Sequence, residues 1–320
     1  MKPIWSCWRR RAAVAAIALL VGACSTVDYG KPVNDFAAAT NDAESALSQL
    51  NVQVTEAYSE VLKNSVVSGR AFVKTNDEEC LTLSVRCRLI IQAEDGTKEI
   101  YPPAPPLAQM TLLMAQINKY AGNLKALLEA DTATKVETQV NAALGSVQNL
   151  AETVAAAGGG SAATVPQFAT PVGAGINWIV GQYVEHVKLS GLQRATAAAK
   201  PVIRDAAGLF TAASTFASDV PKSELAEEVS QAVDTFREGS NASNFDRLVQ
   251  STVKYDALLV STPPQLFQRM AAAHDALADS LQDKNLTFAT ALARIEAFAA
   301  EAKKLVTILQ DLRAVTSNNP

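Results

Sequence analysis

The chain holds only two histidines, His186 and His274, so a search for chemistry starts there. Each has an acidic neighbour, in Glu185-His186 and His274-Asp275, and each lies in a stretch with helical periodicity. Adjacent residues on a helix do not face one another, so neither dipeptide makes a chelating pair. A metal-binding helix needs its ligands three or four residues apart, as in H-E-x-x-H. Neither histidine belongs to such a motif, and both read as solvated or core-edge side chains. The acidic pairs Glu78-Glu79 and Glu227-Glu228 lie in charge-mixed polar stretches and read as solvated surface. Gly158-Gly159-Gly160-Ser161 is followed by no Gly-Lys-Ser/Thr, so it is a flexible stop and not a phosphate cradle. The G-x-S-x-G elbow needs a strand-to-helix setting that the pattern does not supply. No catalytic, metal or cofactor site is expected. An enzyme or small-ligand binder with an unrecognised site stays as an alternative.

Cysteine is the other reactive type, at Cys7, Cys24, Cys80 and Cys87. Cys24 closes the run Val21-Gly22-Ala23-Cys24-Ser25, behind Lys2, Arg9, Arg10 and Arg11 and an uncharged stretch over 12–21. About ten apolar residues are half of what a helix needs to cross a bilayer core of roughly 30 Å, so the segment reads as a cleavable signal. An aliphatic residue, two small residues and a cysteine resemble the lipobox of bacterial lipoproteins. The resemblance covers the signal alone. It implies cleavage after Ala23 and fatty acylation of Cys24, palmitate being the usual tracer, in a periplasm-facing envelope protein. Ser25 stands where aspartate would favour inner-membrane retention, which leans the expectation to the outer membrane. The alternative is an ordinary secretory signal with an incidental Cys24. Arg9-Arg10-Arg11 lacks the context of a twin-arginine signal. Cys7 leaves with the signal, and Cys80 and Cys87 remain. In an oxidising compartment they read as a disulfide, the alternative being two buried thiols. Closing so short a loop contributes about 2–3 kcal/mol.

Charge narrows the partners. Loss of residues 1–23 removes four cations from 28 Lys+Arg, leaving 24 against 32 Asp+Glu and a net charge near −8. Nucleic acid is excluded, since its binding rests on phosphate neutralisation. Peripheral attraction to anionic lipid, which needs basic clusters, is disfavoured too. Aromatic content is 6% and alanine is abundant, a composition that suits closely packed helices.

These residues are expected on an all-α fold: an elongated antiparallel bundle of long helices with a small β-hairpin insert. The reading divides the chain into a signal (1–23), a tether (24–33), one helical-bundle domain (34–316) and a polar tail (317–320). A first helix, capped by Asn34, carries Phe36, Ala43, Leu47, Leu50, Val54, Ala57 and Val61 as a narrow seam and runs to about Lys74. Residues 76–106 form the insert, with Glu94-Asp95-Gly96-Thr97 as a hairpin turn and four prolines closing it. A second helix starts near Leu107, with a soft joint allowed at Asp131 and Thr132, and ends before Gly158. This return places residues 157–171 at the tethered end. A third helix extends from Pro171 toward Phe216, kinked at Pro201, followed by helices over 222–238 and 244–261. Thr262-Pro263-Pro264-Gln265 marks another start, and the last helix carries Phe288, Leu292, Ile295, Phe298, Ala302, Leu305, Leu309 and Leu312 on one face.

One stretch stands apart. Thr153 to Val184 contains no Asp, Glu, Lys, Arg or His, and it holds Trp178 with Phe168, Ile176, Ile179 and Tyr183. Its prolines and glycines rule out a single membrane-spanning helix. Either small residues let two helices approach, with Trp178 filling the bundle end, or the apolar side chains meet lipid or a partner. The expected function is a membrane-anchored, non-enzymatic periplasmic scaffold that binds another envelope protein through the 80–101 hairpin or the 166–184 segment. The alternative is a membrane-active protein whose uncharged segment contacts or inserts into lipid.

Overall fold

A computed structural model describes residues 28–75, 88–103, 107–157, 180–260, 263–283, 285 and 287–317. The signal, Cys24, the pair Cys80 and Cys87, and Phe168, Ile176, Trp178 and Ile179 lie outside the described residues. Tyr183 is on a described helix, but its side chain is outside that description.

The fold is all-α with a small antiparallel sheet. Helix α1 spans Gly30–Val67 and starts four residues before the expected cap. The Asp28 carboxylate accepts from the Gly30 and Lys31 amides, and Pro32 is harmless in a first turn whose amides lack helical partners anyway. The helix also ends seven residues early. Gly69 takes φ 74°, and the Arg70 amide returns to the Ser65 carbonyl, a Schellman-type stop that a side chain at this φ would strain.

Residues 71–74, expected as helix, belong instead to strand β1 (Ala71–Thr75), paired with β2 (Leu89–Ala93), which pairs with β3 (Lys98–Tyr101). The insert is thus a three-stranded sheet and not a lone hairpin, but its turn is the expected one: Gly96 has φ 87°, and Asp95 accepts from the Thr97 amide. Ala71, Ile91 and Tyr101 pack on Tyr58, Leu62 and Val66 of α1.

The expected second helix is two helices. It breaks at Ala130, and Thr132 caps a new start by accepting from the Lys135 amide, giving α2 (Ala108–Glu129) and α3 (Ala133–Ala156). Asn123 reaches across the break to Ala142 and Ser146, so the two form an antiparallel hairpin. The soft joint is a full reversal. That overturns the expected placing of residue 157 at the end where α1 begins, because α3 runs back away from that end and carries Ala157 with it.

Helix α4 (Val180–Glu238) is 59 residues long, about 88 Å. It stays helical through Pro201 and also through Pro221, where a helix boundary was expected. Around Pro201, contacts with α6 (Pro263–Gln282) hold both sides: Lys200 to Asp279, Arg204 to Asp275, and Phe210 stacked on Phe267 at 4.2 Å. Such packing offsets the roughly 3 kcal/mol that an interior proline costs. The remaining helices are α5 (Ala242–Val260), whose Asn244 amide is capped by Asn241, and α7 (Ala289–Ser317), which follows a turn built on Asp283.

Side-chain ties set the directions. Asn118 with Thr40, and the Leu107 amide with Asn51, make α2 antiparallel to α1. Phe298 beside Phe36, and Leu309 beside Gln53, make α7 parallel to α1. The core, from Val33 to Leu309, runs along the shared axis of α1, α2, α3, α4, α6 and α7. Of the expected seams, Phe36, Leu47, Met114, Ile117, Val140, Val147, Ile295 and Phe298 are all fully buried.

Candidate functional site

The described residues offer three places where chemistry or contact is concentrated. The first is His274, on α6. It is fully buried, deeper than the solvated or core-edge position expected. Its ring lies 5.5 Å from Phe36 and 5.7 Å from Tyr120, and Nε2 shares a 3.0 Å hydrogen bond with the Tyr120 hydroxyl. Nδ1 has no partner among the described residues. Burial first, then Lys200 and Arg204, push its pKa down to about 3, so it is neutral. The sequence carried a signal for this: His274 continues the row Phe267, Met270, Leu277 and Leu281, all buried, at helical spacing. His186 is exposed, as expected.

The second is an open cleft of about 400 Å³ on the other side of α6, lined by Asp275, Asp279, Asp283, Thr287, Thr290 and Arg294. Its carboxylates are committed to the fold. Asp275 pairs with Arg204 and Asp279 with Lys200. Asp283, held below the usual carboxylate range by the Asn285 amide and the Thr287 hydroxyl, builds the α6–α7 turn. Among the described residues no group of His, Cys, Asp and Glu has the arrangement of a metal site.

The third is at the end of the bundle where α1 begins. The Tyr29 hydroxyl donates to Glu185, and Lys188 donates to Glu185 at 2.9 Å and to the Leu128 carbonyl at 3.0 Å. One cluster thereby joins the start of α1, the end of α2 and the start of α4. Burial works against the Glu185 carboxylate, but hydrogen bonds from Tyr29 and Lys188 outweigh it and hold its pKa below the usual range. Burial, with the Glu185 contact, raises the Tyr29 phenol. The α4 end of the uncharged stretch therefore lies beside Tyr29 and the start of α1, while Ala157, at the end of α3, does not. Val184 is buried in the bundle, and among the described residues no helix is long and apolar enough to cross a membrane.

Apolar side chains left uncovered lie elsewhere, with Val52 and Leu112 singly along α1 and α2 and the others grouped toward the far ends. On the sheet, Phe72 and Ile100 are exposed on the face turned away from α1. On α5, Phe245, Val249 and Val253 are exposed in a row, a feature the sequence reading did not single out. Compared with known proteins, the chain matches no family model, no curated protein and no solved structure.

Proposed function

We propose that this chain is a non-enzymatic scaffold of the bacterial cell envelope, anchored through acylated Cys24 and facing the periplasm, at the outer membrane in preference to the inner. One observation carries the reading: the parts farthest from the tether keep apolar side chains uncovered. From Gly30 to Val67, α1 rises about 57 Å and lifts the sheet with Phe72 and Ile100. From Glu185, beside Tyr29, α4 rises about 80 Å to Glu238. With helix beginning at Gly30, residues 24–29 span at most about 20 Å, shorter than the tether read from sequence. A rod held this close to a membrane meets partners of the same membrane at raised effective concentration.

Cys24→Ser is the direct test of the anchor. The substitution abolishes palmitate labelling and globomycin-sensitive maturation, and pull-down of the tagged wild-type lipoprotein from envelopes recovers a partner protein. Unaltered processing of the variant refutes the anchor, and recovery of no partner across detergents refutes the scaffold.

The charge-free run from Thr153 to Val184 supports a second reading, in which this segment enters lipid. Trp178 emission then shifts to the blue when liposomes are added; an unchanged spectrum removes this reading.

A further inference from the structure

Past the stacked pair Phe210 and Phe267, α4 continues to Glu238 and α5 folds back along it. Ser251 donates to Glu228 at 3.0 Å, Asn244 donates to the Thr235 and Gly239 carbonyls, and Phe236 meets Phe245 at 5.8 Å. Ala232 and Ser251 are buried within this helical hairpin. Its α4-facing side is thereby accounted for, and α5 also meets α7, but one side of it stays open. Phe245, Val249 and Val253 are spaced four apart and so share one face, where they are 51%, 44% and 54% exposed. Phe245 lies at the edge between the two sides, meeting Phe236 while half of it stays exposed beside Val249 and Val253.

Charge around the row narrows what covers it. Asp246 is three residues before Val249 and Asp256 three after Val253, so an exposed carboxylate borders each end of the row. Arg247 is two residues from both Phe245 and Val249 and points away from it. Over residues 223–256 the chain has seven acids (Glu224, Glu227, Glu228, Asp234, Glu238, Asp246, Asp256) and three bases (Arg237, Arg247, Lys254), a net charge of −4. A second copy is disfavoured because it brings no cation to either carboxylate: antiparallel pairing of the row about its centre, Val249, sets Asp246 opposite Thr252 and Asp256 opposite Ala242, and parallel pairing sets each carboxylate against itself. An anionic lipid surface is repelled by the same net charge.

We infer that the exposed face of α5 is the docking site for a basic amphipathic helix of a partner protein, its apolar side on Phe245, Val249 and Val253 and its cations on Asp246 and Asp256. This rests on the scaffold reading and names where, and by what chemistry, that scaffold grips its partner.

The test uses residues 25–320, which include every described residue, and two labelled helical probes of about 20 residues sharing one leucine face, with lysines on the flanks of one and glutamates on the flanks of the other. The lysine probe binds at least about tenfold more tightly than the glutamate probe, and salt weakens it. Val249→Asp, a change at an exposed position that leaves the melting temperature unaltered, lowers that affinity by at least about tenfold. Asp246→Lys with Asp256→Lys inverts the preference between probes. Binding of neither probe, equal binding by Val249→Asp, or an unchanged preference in the lysine variant overturns the inference. So does a dimer by sedimentation, or binding to phosphatidylglycerol vesicles, that Val249→Asp abolishes. If envelope pull-down recovers a partner equally with Val249→Asp, the α5 site is wrong and the scaffold reading stands. If wild type recovers none, the scaffold reading itself fails.

Discussion

A histidine ring enclosed by Phe36 and Tyr120, with one nitrogen bonded and the other unpartnered among the described residues, cannot take a proton without taking an unpaired charge into the core. The unfolded chain protonates such a ring near pH 6.5, whereas burial lowers the folded pKa of His274 to about 3. A pKa lowered in the folded state stabilises above the unfolded value, and that contribution is lost as pH falls from 6.5 toward 3. Between pH 7 and about 4.5 the loss is on the order of 3 kcal/mol. His274→Gln keeps a partner for the Tyr120 hydroxyl and does not titrate, so the variant's acid loss is smaller by that amount. Urea unfolding of both proteins at the two pH values measures it; identical acid loss in wild type and variant sinks the assignment. The type and spacing of His274 were plain in the sequence. Its burial depends on which helices close over α6, and a single helical stripe does not say how many neighbours it has.

Seams are legible because period 3.6 puts apolar residues on one face whatever lies opposite. Phe36 to Val54 in α1, Met110 to Leu124 in α2 and Val136 to Leu150 in α3 are buried as expected. Helix ends are another matter, since they hang on single residues. Asp28, Gly69 and Thr132 each set a boundary that periodicity alone misplaced or softened, whereas Pro201 and Pro221 set none, and at Pro201 ties to α6 hold the helix on both sides. Helix contact also makes demands of its own. A Cβ on Gly191 of α4 would lie 2.3 Å from Val140 Cγ2 of α3, and a branched valine has no flexible end to yield. Gly191→Ala gains about 1 kcal/mol of helix propensity and loses more to overpacking, a net destabilisation of about 1–2 kcal/mol. Adding Val140→Ala recovers part of it, so the double variant is more stable than the sum of the singles by at least about 0.5 kcal/mol. Strict additivity in thermal melts would refute the close approach.

At the scale of the molecule, α4 sets the length. Residues 25–320 folded as a compact globule have a radius of gyration of about 19 Å, a sphere about 50 Å across. A rod containing one helix of about 88 Å exceeds it clearly, and small-angle scattering of residues 25–320 gives a maximum dimension of at least about 88 Å. A compact profile would mean that α4 is broken and that the α4–α5 hairpin does not project.

Local chemistry sufficed for the all-α class, the apolar seams, the β2–β3 turn and the absence of familiar catalytic spacings. Each is written within one or two turns of chain and needs no knowledge of what lies across from it. Tertiary structure alone decided that α2 and α3 fold against each other, that α4 persists through two prolines, that His274 is sealed in, and that one side of α5 stays bare. These outcomes depend on which faces find partners, and burial is a property of pairs of elements that no single stretch of sequence contains.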